Sequence, residues 1–436
     1  PWRRFQLAFT PGLAAATFRD PDRAAPALLA NADAALRGGG FRSSQSLVAA
    51  NAFPNSDAAD AWWIPGATVF YSDDPNHTPA QELAAARAHF FVPRRMQDAF
   101  AAERVVTYDA YDLQVVAAVD PVGNRVTARI DYRVLAPSEV TDPNGDRTAV
   151  AFDARGLVVG TAVMGRAGEA VGDSLAGFSP DLGDAQLLAY LADPAAEGAA
   201  LLARATTRTV YDPFAYVRTS GQAQPAPPVA CALTRETHDA ALANGEVSAI
   251  QHRFVYTDGF GREVQVKTQA EPGPLVEGGA SAARWAGTGW TVFNNKGLPV
   301  RRYEPFFSAT HRFGLARMVG VSPVVFYDPI GRAVATLHPD GSYEKVQFDA
   351  WTETRWDAND TVLLDPAMDP DVAGLVAAYL DSLPPDATTW YLQRGRPGAS
   401  PLEQEAAAKA AAHAATPAVS HLDPLGRPLL TIEDGG

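Results

Sequence analysis

Short runs of apolar and β-branched residues alternate along the chain with polar clusters of Asp, Pro, Gly and Asn. Between residues 105 and 165 the runs are "LQVVAAV", "NRVTARI", "YRVLAPSEV", "RTAVAF" and "LVVGTAV". Val, Ile, Thr and Phe fit a pleated, half-buried surface, so each run predicts a β-strand. The clusters between them, such as "DPVGN" and "DPNGD", predict tight turns. Proline presets φ after the aspartate, glycine supplies a positive φ, and the carboxylate accepts hydrogen bonds from backbone N–H groups ahead of it. Asp109, Asp120, Asp131, Asp142 and Asp153 follow one another at intervals of eleven residues. One strand and one turn fill the interval, so two intervals make a hairpin.

The same grammar returns in "YTDGFGREVQVKTQ" (256–269), "VFNNKGLPVRRYEP" (292–305), "FYDPIGRAVATLHPDGSYEKVQFDAW" (326–351) and "LDPLGRPLLTIEDGG" (422–436). Its core is an apolar or aromatic residue, Asp, two residues, Gly and Arg: Asp258/Gly261/Arg262, Asp328/Gly331/Arg332 and Asp423/Gly426/Arg427. The pairs Asp120/Gly123 and Asp142/Gly145 belong to the same set, with Asn124 and Asp146 in the arginine position. A fixed period of this kind predicts a repeat architecture in which each unit stacks on its neighbours. Helices are expected at 21–39, 78–91, 184–205, 369–383 and 400–417, several opening on Ser, Thr or Asp followed by Pro. "SGQAQPAPPVA" (220–230) reads as an extended linker. The expected fold is mainly β, antiparallel hairpins in a curved sheet with short helical insertions. Its segments are a mixed α/β stretch at 1–104, hairpin repeats at 105–165 and a helix- and loop-rich insertion at 166–250. A second repeat segment at 251–365, a helical insertion at 366–417 and the start of a further repeat at 418–436 complete the chain.

Composition narrows the function classes. With 36 basic and 50 acidic residues the formal charge is −14, which argues against a general nucleic-acid binder. Cys231 is the single cysteine, so no intrachain disulfide forms and burial and strand pairing must hold the fold. The apolar runs fall far short of a membrane span. The chain opens on Pro1 and stops at "TIEDGG" inside a repeat; a piece of a longer chain is expected.

Candidate chemistry is sparse. "GDSL" at 172–175 matches a short esterase motif around Ser174, but no Asp-x-x-His follows it; the only one, Asp74 to His77, precedes it. Asp142, Asn144, Asp146 and Asp153 occupy positions 1, 3, 5 and 12 of a calcium-loop template, with Arg147 where its glycine belongs. The histidines at 77, 89, 238, 252, 311, 338, 413 and 421 show no metal-ligand spacing; local hydrogen bonding is expected for His89, His338 and His413. Cys231 reads as a buried or inert thiol. The aromatic groups around Trp62, Trp63, Trp285, Trp290, Trp351 and Trp356 read as cover for a sheet face, with a carbohydrate platform as the alternative. No cofactor is implied, and the periodic aspartates read as turn-shaping residues.

The Tyr-Asp-x-x-Gly-Arg units, "YDPIGR" above all, resemble the YD repeats of the Rhs superfamily. Longer stretches resemble the B component of bacterial Tc insecticidal toxin complexes, middle region. Among them are "WWIPGATVFYSDDPNHTPAQELAAARAHFFVPRR", "VTDPNGDRTAVAFDARGLVVGTAVMG", "RWAGTGWTVFNNKGLPVRRYEPFFS" and "GVSPVVFYDPIGRAVATLHPDGSYEKVQFDAW". The resemblance runs from about residue 60 to the end and is weakest at 165–250. It implies a spiralling β-sheet that forms part of a hollow shell around a toxic cargo. The implied partners are a C component with its cargo and, through other regions of the chain, a pore-forming A component. It implies no enzymatic role, no nucleic acid and no membrane insertion, and a secreted complex assembled in the bacterial cytoplasm. A cell-surface Rhs protein that binds carbohydrate or mediates adhesion is the alternative. The residues carried over are the structural turns Asp120, Gly123, Asp142, Gly145, Asp258, Gly261, Arg262, Asp328, Gly331, Arg332, Asp423, Gly426 and Arg427.

Overall fold

A computed structural model describes residues 4–10, 12–13, 17, 31–54, 61–98, 100–423 and 425–433. The chain divides into two units, one of residues 1–209 and 234–250, the other of residues 210–233 and 251–436. The architecture is mainly β, with large antiparallel sheets and short helices.

In the first unit β1 (Phe5–Phe9), β2 (Arg42–Ser43) and β3 (Trp62–Pro65) make a small sheet in the order β1-β3-β2. The larger sheet runs in chain order through β4 (Thr68–Phe70), β5 (Arg95–Gln97), β6 (Glu103–Tyr108), β7 (Val115–Val119), β8 (Arg125–Asp131), β9 (Ala136–Thr141), β10 (Arg147–Phe152) and β11 (Val158–Met164). The start of β12 (Thr207–Asp212) continues it, Thr207 opposite Thr161. Every neighbour is also the next strand in sequence, which is what tight turns between short strands dictate. The run "YRVLAPSEV" is not one strand: 132–135 turn, and β9 begins at Ala136.

Helices interrupt this order. The helix Pro79–Ala88 starts where Thr78 and Gln81 form a capping box, Thr78 N donating to Gln81 Oε1 at 2.9 Å. The helix expected across 184–205 is two, Asp184–Ala192 and Pro194–Leu202, because the Asp193–Pro194 step cannot continue an α-helix. Asp193 ends the first and caps the second, its carboxylate accepting from Ala196 N at 3.1 Å. Of the helix expected at 21–39, residues 21–30 lie outside the described residues, and Ala32–Gly38 is helical. The stretch 166–250 also carries strands, β12 and β13 (Val229–Arg235).

In the second unit β13 lies beside β14 (Ile250–Thr257), followed by β15 (Glu263–Gly273), β16 (Ala282–Gly287) and β19 (Phe306–Ser308). Between the last two, β17 (Thr291–Phe293) and β18 (Pro299–Arg302) form a separate ribbon. A further sheet runs in chain order through β20 (Val324–Tyr327), β21 (Ala333–Leu337), β22 (Tyr343–Phe348), β23 (Thr352–Trp356), β24 (Ala418–Leu422) and β25 (Pro428–Ile432). The helices Ala373–Leu380, Trp390–Gly395 and Pro401–Ala411 lie between β23 and β24. The first of these packs on the sheet hydrophobically, Val372 and Val376 against Ala335, Leu337 and Tyr343.

Buried cations fasten three of the excursions to strands. Arg95 on β5 reaches Glu82 of the helix Pro79–Ala88 at 3.3 Å and Ser72 O at 2.8 Å. Arg208 on β12 donates to Leu201 O at 2.7 Å and Ser179 O at 2.8 Å and lies over the Phe178 ring. Burial pulls its guanidinium down to about 10. Lys345 on β22, 5% exposed, donates to Asp369 Oδ2 at 2.9 Å and Asp371 Oδ2 at 2.6 Å. Burial pulls this ammonium down, but the bonds to Asp371 and Asp369 outweigh it and hold it above its ordinary value. Tyr343 Oη also donates to Asp369, at 2.6 Å. Removing Asp369 leaves the buried Lys345 ammonium with Asp371 alone and takes the acceptor from Tyr343 Oη. Asp369→Ala is therefore expected to lower stability by about 3 kcal/mol in urea unfolding, with Lys345→Met recovering part of the loss.

Candidate functional site

The feature that recurs throughout the described residues is the five-residue turn. Around Asp328, Asp328 N donates to Arg332 O at 2.9 Å and Gly331 N to Asp328 O at 3.0 Å. Asp328 Oδ1 accepts from Ile330 N at 3.0 Å and Arg332 N at 2.9 Å. Gly331 has φ +92°, a left-handed conformation that costs an L side chain strain. The Arg332 guanidinium closes the loop on Asp328 Oδ2 at 2.7 Å and lies over the Phe348 ring.

Asp258/Gly261/Arg262 and Asp423/Gly426/Arg427 repeat this geometry, each arginine Nε 2.7 Å from its aspartate. Pro424, inside the last turn, lies outside the described residues. Asp120/Gly123 and Asp142/Gly145 have the same backbone pattern without the arginine. In the first, Asn124 Nδ2 takes over the contact to Asp120 Oδ2 at 2.8 Å. In the second, Asn144 Nδ2 reaches Asp142 Oδ2 at 3.4 Å. The partner of Oδ2 is thus replaceable; the backbone cap on Oδ1 is not replaced.

Further turns of this type lie beyond the Asp-x-x-Gly units: Asp109, Asp153 and the stretch 292–305 already read as turns from sequence, and Asp98 is added by the structure. Asn294 accepts from Lys296 N and Leu298 N, and its Asn-x-x-Gly spacing was the available signal. Asp98 and Asp109 cap their turns with Ala101 and Asp112 in the glycine position, at φ +64° and +55°. Asp153 caps its own turn and pairs with Arg155 at 2.7 Å.

The remaining candidates fall to structural roles. Asp142 and Asp153, grouped by the calcium template, each bond the backbone of a different turn, and the described residues hold no cluster of His, Cys, Asp or Glu suited to a metal. Around "GDSL" the buried residue is Asp173, not the serine. Asp173 accepts from Thr206 Oγ1 at 2.5 Å, Asp239 N at 2.7 Å and His238 Nδ1 at 2.8 Å. Ser174 Oγ accepts from Ala176 N at 3.0 Å. His89 bonds Asp112 at 2.8 Å, a long-range contact rather than the local one expected. Cys231 is fully buried, and burial followed by the nearby Asp212 charge pushes its thiol well above the usual range. Four of the candidate tryptophans are packed against neighbours, whereas Trp351 is exposed. Trp62 is 8% exposed, Trp63 packs edge-on against Phe53, Trp285 packs with Phe254 and His311, and Trp290 with Phe313. Burial drives His252, beside Trp285, down to about 4.

Comparison with solved structures gives the fold its place. The crystal structure of TcdB2-TccC3 matches at 21% identity and a TM-score of 0.62, over 98% of this chain and 18% of that chain. The fold is Tc toxin B-component-like. The crystal structure of TcdB2-TccC3 without its hypervariable C-terminal region matches at 20% identity and a TM-score of 0.62, over 98% of this chain and 20% of that one. A Photorhabdus luminescens Tc holotoxin pore matches at 20% identity and a TM-score of 0.59, over 92% of this chain and 18% of that one. The chain thus spans about a fifth of the Tc chains it matches. No family model matches it, and no curated protein does.

Two outcomes test the turn in this Tc-like fold. Gly331→Val, forced to a positive φ, is expected to cost about 1–3 kcal/mol in thermal or urea unfolding. The second concerns acid. Burial pulls the Asp258 and Asp328 carboxyls upward, but hydrogen bonds from Arg262 and Arg332 outweigh it; at Asp423 the Arg427 backbone bond leads. All three end below the ordinary value of 3.8. A carboxyl held below its unfolded value stabilises the fold above about pH 4, and that stabilisation is lost as pH falls through the lowered value. Unfolding midpoints should therefore drop below about pH 4. Asp328→Asn, which keeps an Oδ1 acceptor as Asn294 does, should flatten part of that drop.

Proposed function

We propose that the chain is a non-enzymatic structural segment of a bacterial Tc/Rhs toxin shell that encloses and helps deliver a toxic cargo domain. The observation that carries this reading is the match of 98% of the chain to the fold of TcdB2-TccC3. Successive hairpins fastened by self-contained turns suit a curved wall, because each interior strand has two partners and few edges stay open. The partners are a C component with its cargo and, through other regions of the same chain, a pore-forming A component. The complex is assembled in the bacterial cytoplasm and secreted, and it acts as an insecticidal virulence factor. Among the described residues no helix is long and apolar enough to cross a membrane.

The test is co-expression of the full-length chain with a C component encoded beside it. The two are expected to purify as one particle in which the cargo resists protease. A cargo digested at the same rate with and without the chain overturns the proposal. So does hydrolysis of p-nitrophenyl acetate by the chain that Ser174→Ala abolishes.

A further inference from the structure

The second unit holds a cavity of about 610 Å³ that none of the contacts above fills. That volume lies in the range of about 300–1,000 Å³ usual for binding clefts. One wall is the turn between β21 and β22, from Leu337 to Ser342. The facing wall belongs to the helical insertion, with Pro366, Tyr379, Leu380, Leu383 and Pro384.

The walls are fixed to each other. Trp390 N donates to Gly341 O at 3.2 Å. A Cβ on Gly341 would lie 2.6 Å from Thr388 O, so turn and insertion are in backbone contact. Tyr379 is held from behind by Phe326, ring centroids 6.1 Å apart, and by Arg301 over its ring. The Lys345–Asp369 cluster anchors the start of the insertion. An occupant therefore meets a preformed slot and need not order it.

Charge in the slot is one-sided. Asp365 and Asp381 line it, and no Lys or Arg does. The Asp365 carboxylate accepts from Ala367 N at 2.9 Å. The lining His338 is turned to Glu344 at 3.1 Å, and no ion pair reaches Asp365 or Asp381 among the described residues. A small cation would meet the carboxylates but leave the Leu, Pro and Tyr walls wet. An extended peptide meets both, because its aliphatic side chains cover the walls and a basic side chain pairs with a lining carboxylate.

We propose that this slot docks an extended segment of a partner protein that carries a Lys or Arg among aliphatic residues. The probe is an array of extended peptides of about ten residues, aliphatic and proline-rich, with Arg, Gln or Glu fixed at the centre. Retained peptides are then measured by fluorescence anisotropy against the whole chain. The Arg series is expected to be retained preferentially, and its peptides to bind at least about tenfold more weakly to Asp381→Asn. Leu383→Glu is expected to abolish binding. Asp381 is exposed, so urea midpoints should show that Asp381→Asn folds as the parent chain does. Equal retention of the three series, no retention, or unchanged affinity in Asp381→Asn overturns the proposal. Because the readout is peptide binding to the chain alone, its failure leaves the co-purification test of the shell independent.

Discussion

The fold depends on one local constraint: a carboxylate that caps its own turn. A five-residue reversal between strands leaves the N–H groups of its third and fifth residues pointing inward, without ladder partners. In the Asp328 turn both are taken by a single oxygen, Oδ1. The second oxygen is then free to hold the Arg332 side chain. The turn is satisfied entirely within itself, so a strand is followed at once by its antiparallel neighbour. Repeated from Asp98 to Asp423, this yields sheets whose order largely copies the sequence. Such sheets close few long loops, which keeps the entropic cost of assembly low.

A second interaction does what the turns cannot. Helical excursions break the local order, and each must be returned to a strand. Arg95, Arg208 and Lys345 do this from the strand side, and Arg235 on β13 donates to Ala205 O at 2.7 Å and Ala203 O at 2.5 Å. Arginine suits carbonyl targets because its planar fork offers five donors and no acceptor. The cost of burial is visible at Arg208, whose guanidinium meets two carbonyls and a phenyl face but no carboxylate. Hydrophobic packing supplies the bulk of adhesion, and the cations fix where the insertion docks.

The division between turns and latches explains what the sequence could reveal. Turn and cap are contained in five consecutive residues, so the mainly β character and the hairpin spacing follow from pattern alone. Helix starts at Thr78 and Ser400 are equally local, each set by a partner three residues on. The latches are invisible for the opposite reason. Lys345 and Asp369 are 24 residues apart, and Asp173 and His238 are 65 apart. "GDSL" drew attention to Ser174, but burial and partners belong to Asp173, which only the return of the chain near residue 238 creates. Asp98 escaped because Ala101 stands where glycine was sought, whereas Asn294, which also offers an acceptor to two backbone N–H groups, lies in a stretch that already reads as a turn.

The same division bears on how little sequence the fold requires. An Oδ1 acceptor, a residue that tolerates positive φ and any donor for Oδ2 suffice for a turn. Asn124 and Arg332 fill the last role with different chemistry, and Ala101 and Asp112 fill the glycine position at some strain. The strands between need only alternate, and the insertions need only meet a strand cation. A scaffold specified so sparsely can keep its course at 21% identity over 98% of the chain. Each of the repeat aspartates Asp120, Asp142, Asp258, Asp328 and Asp423 commits its Oδ1 to the backbone of its own turn.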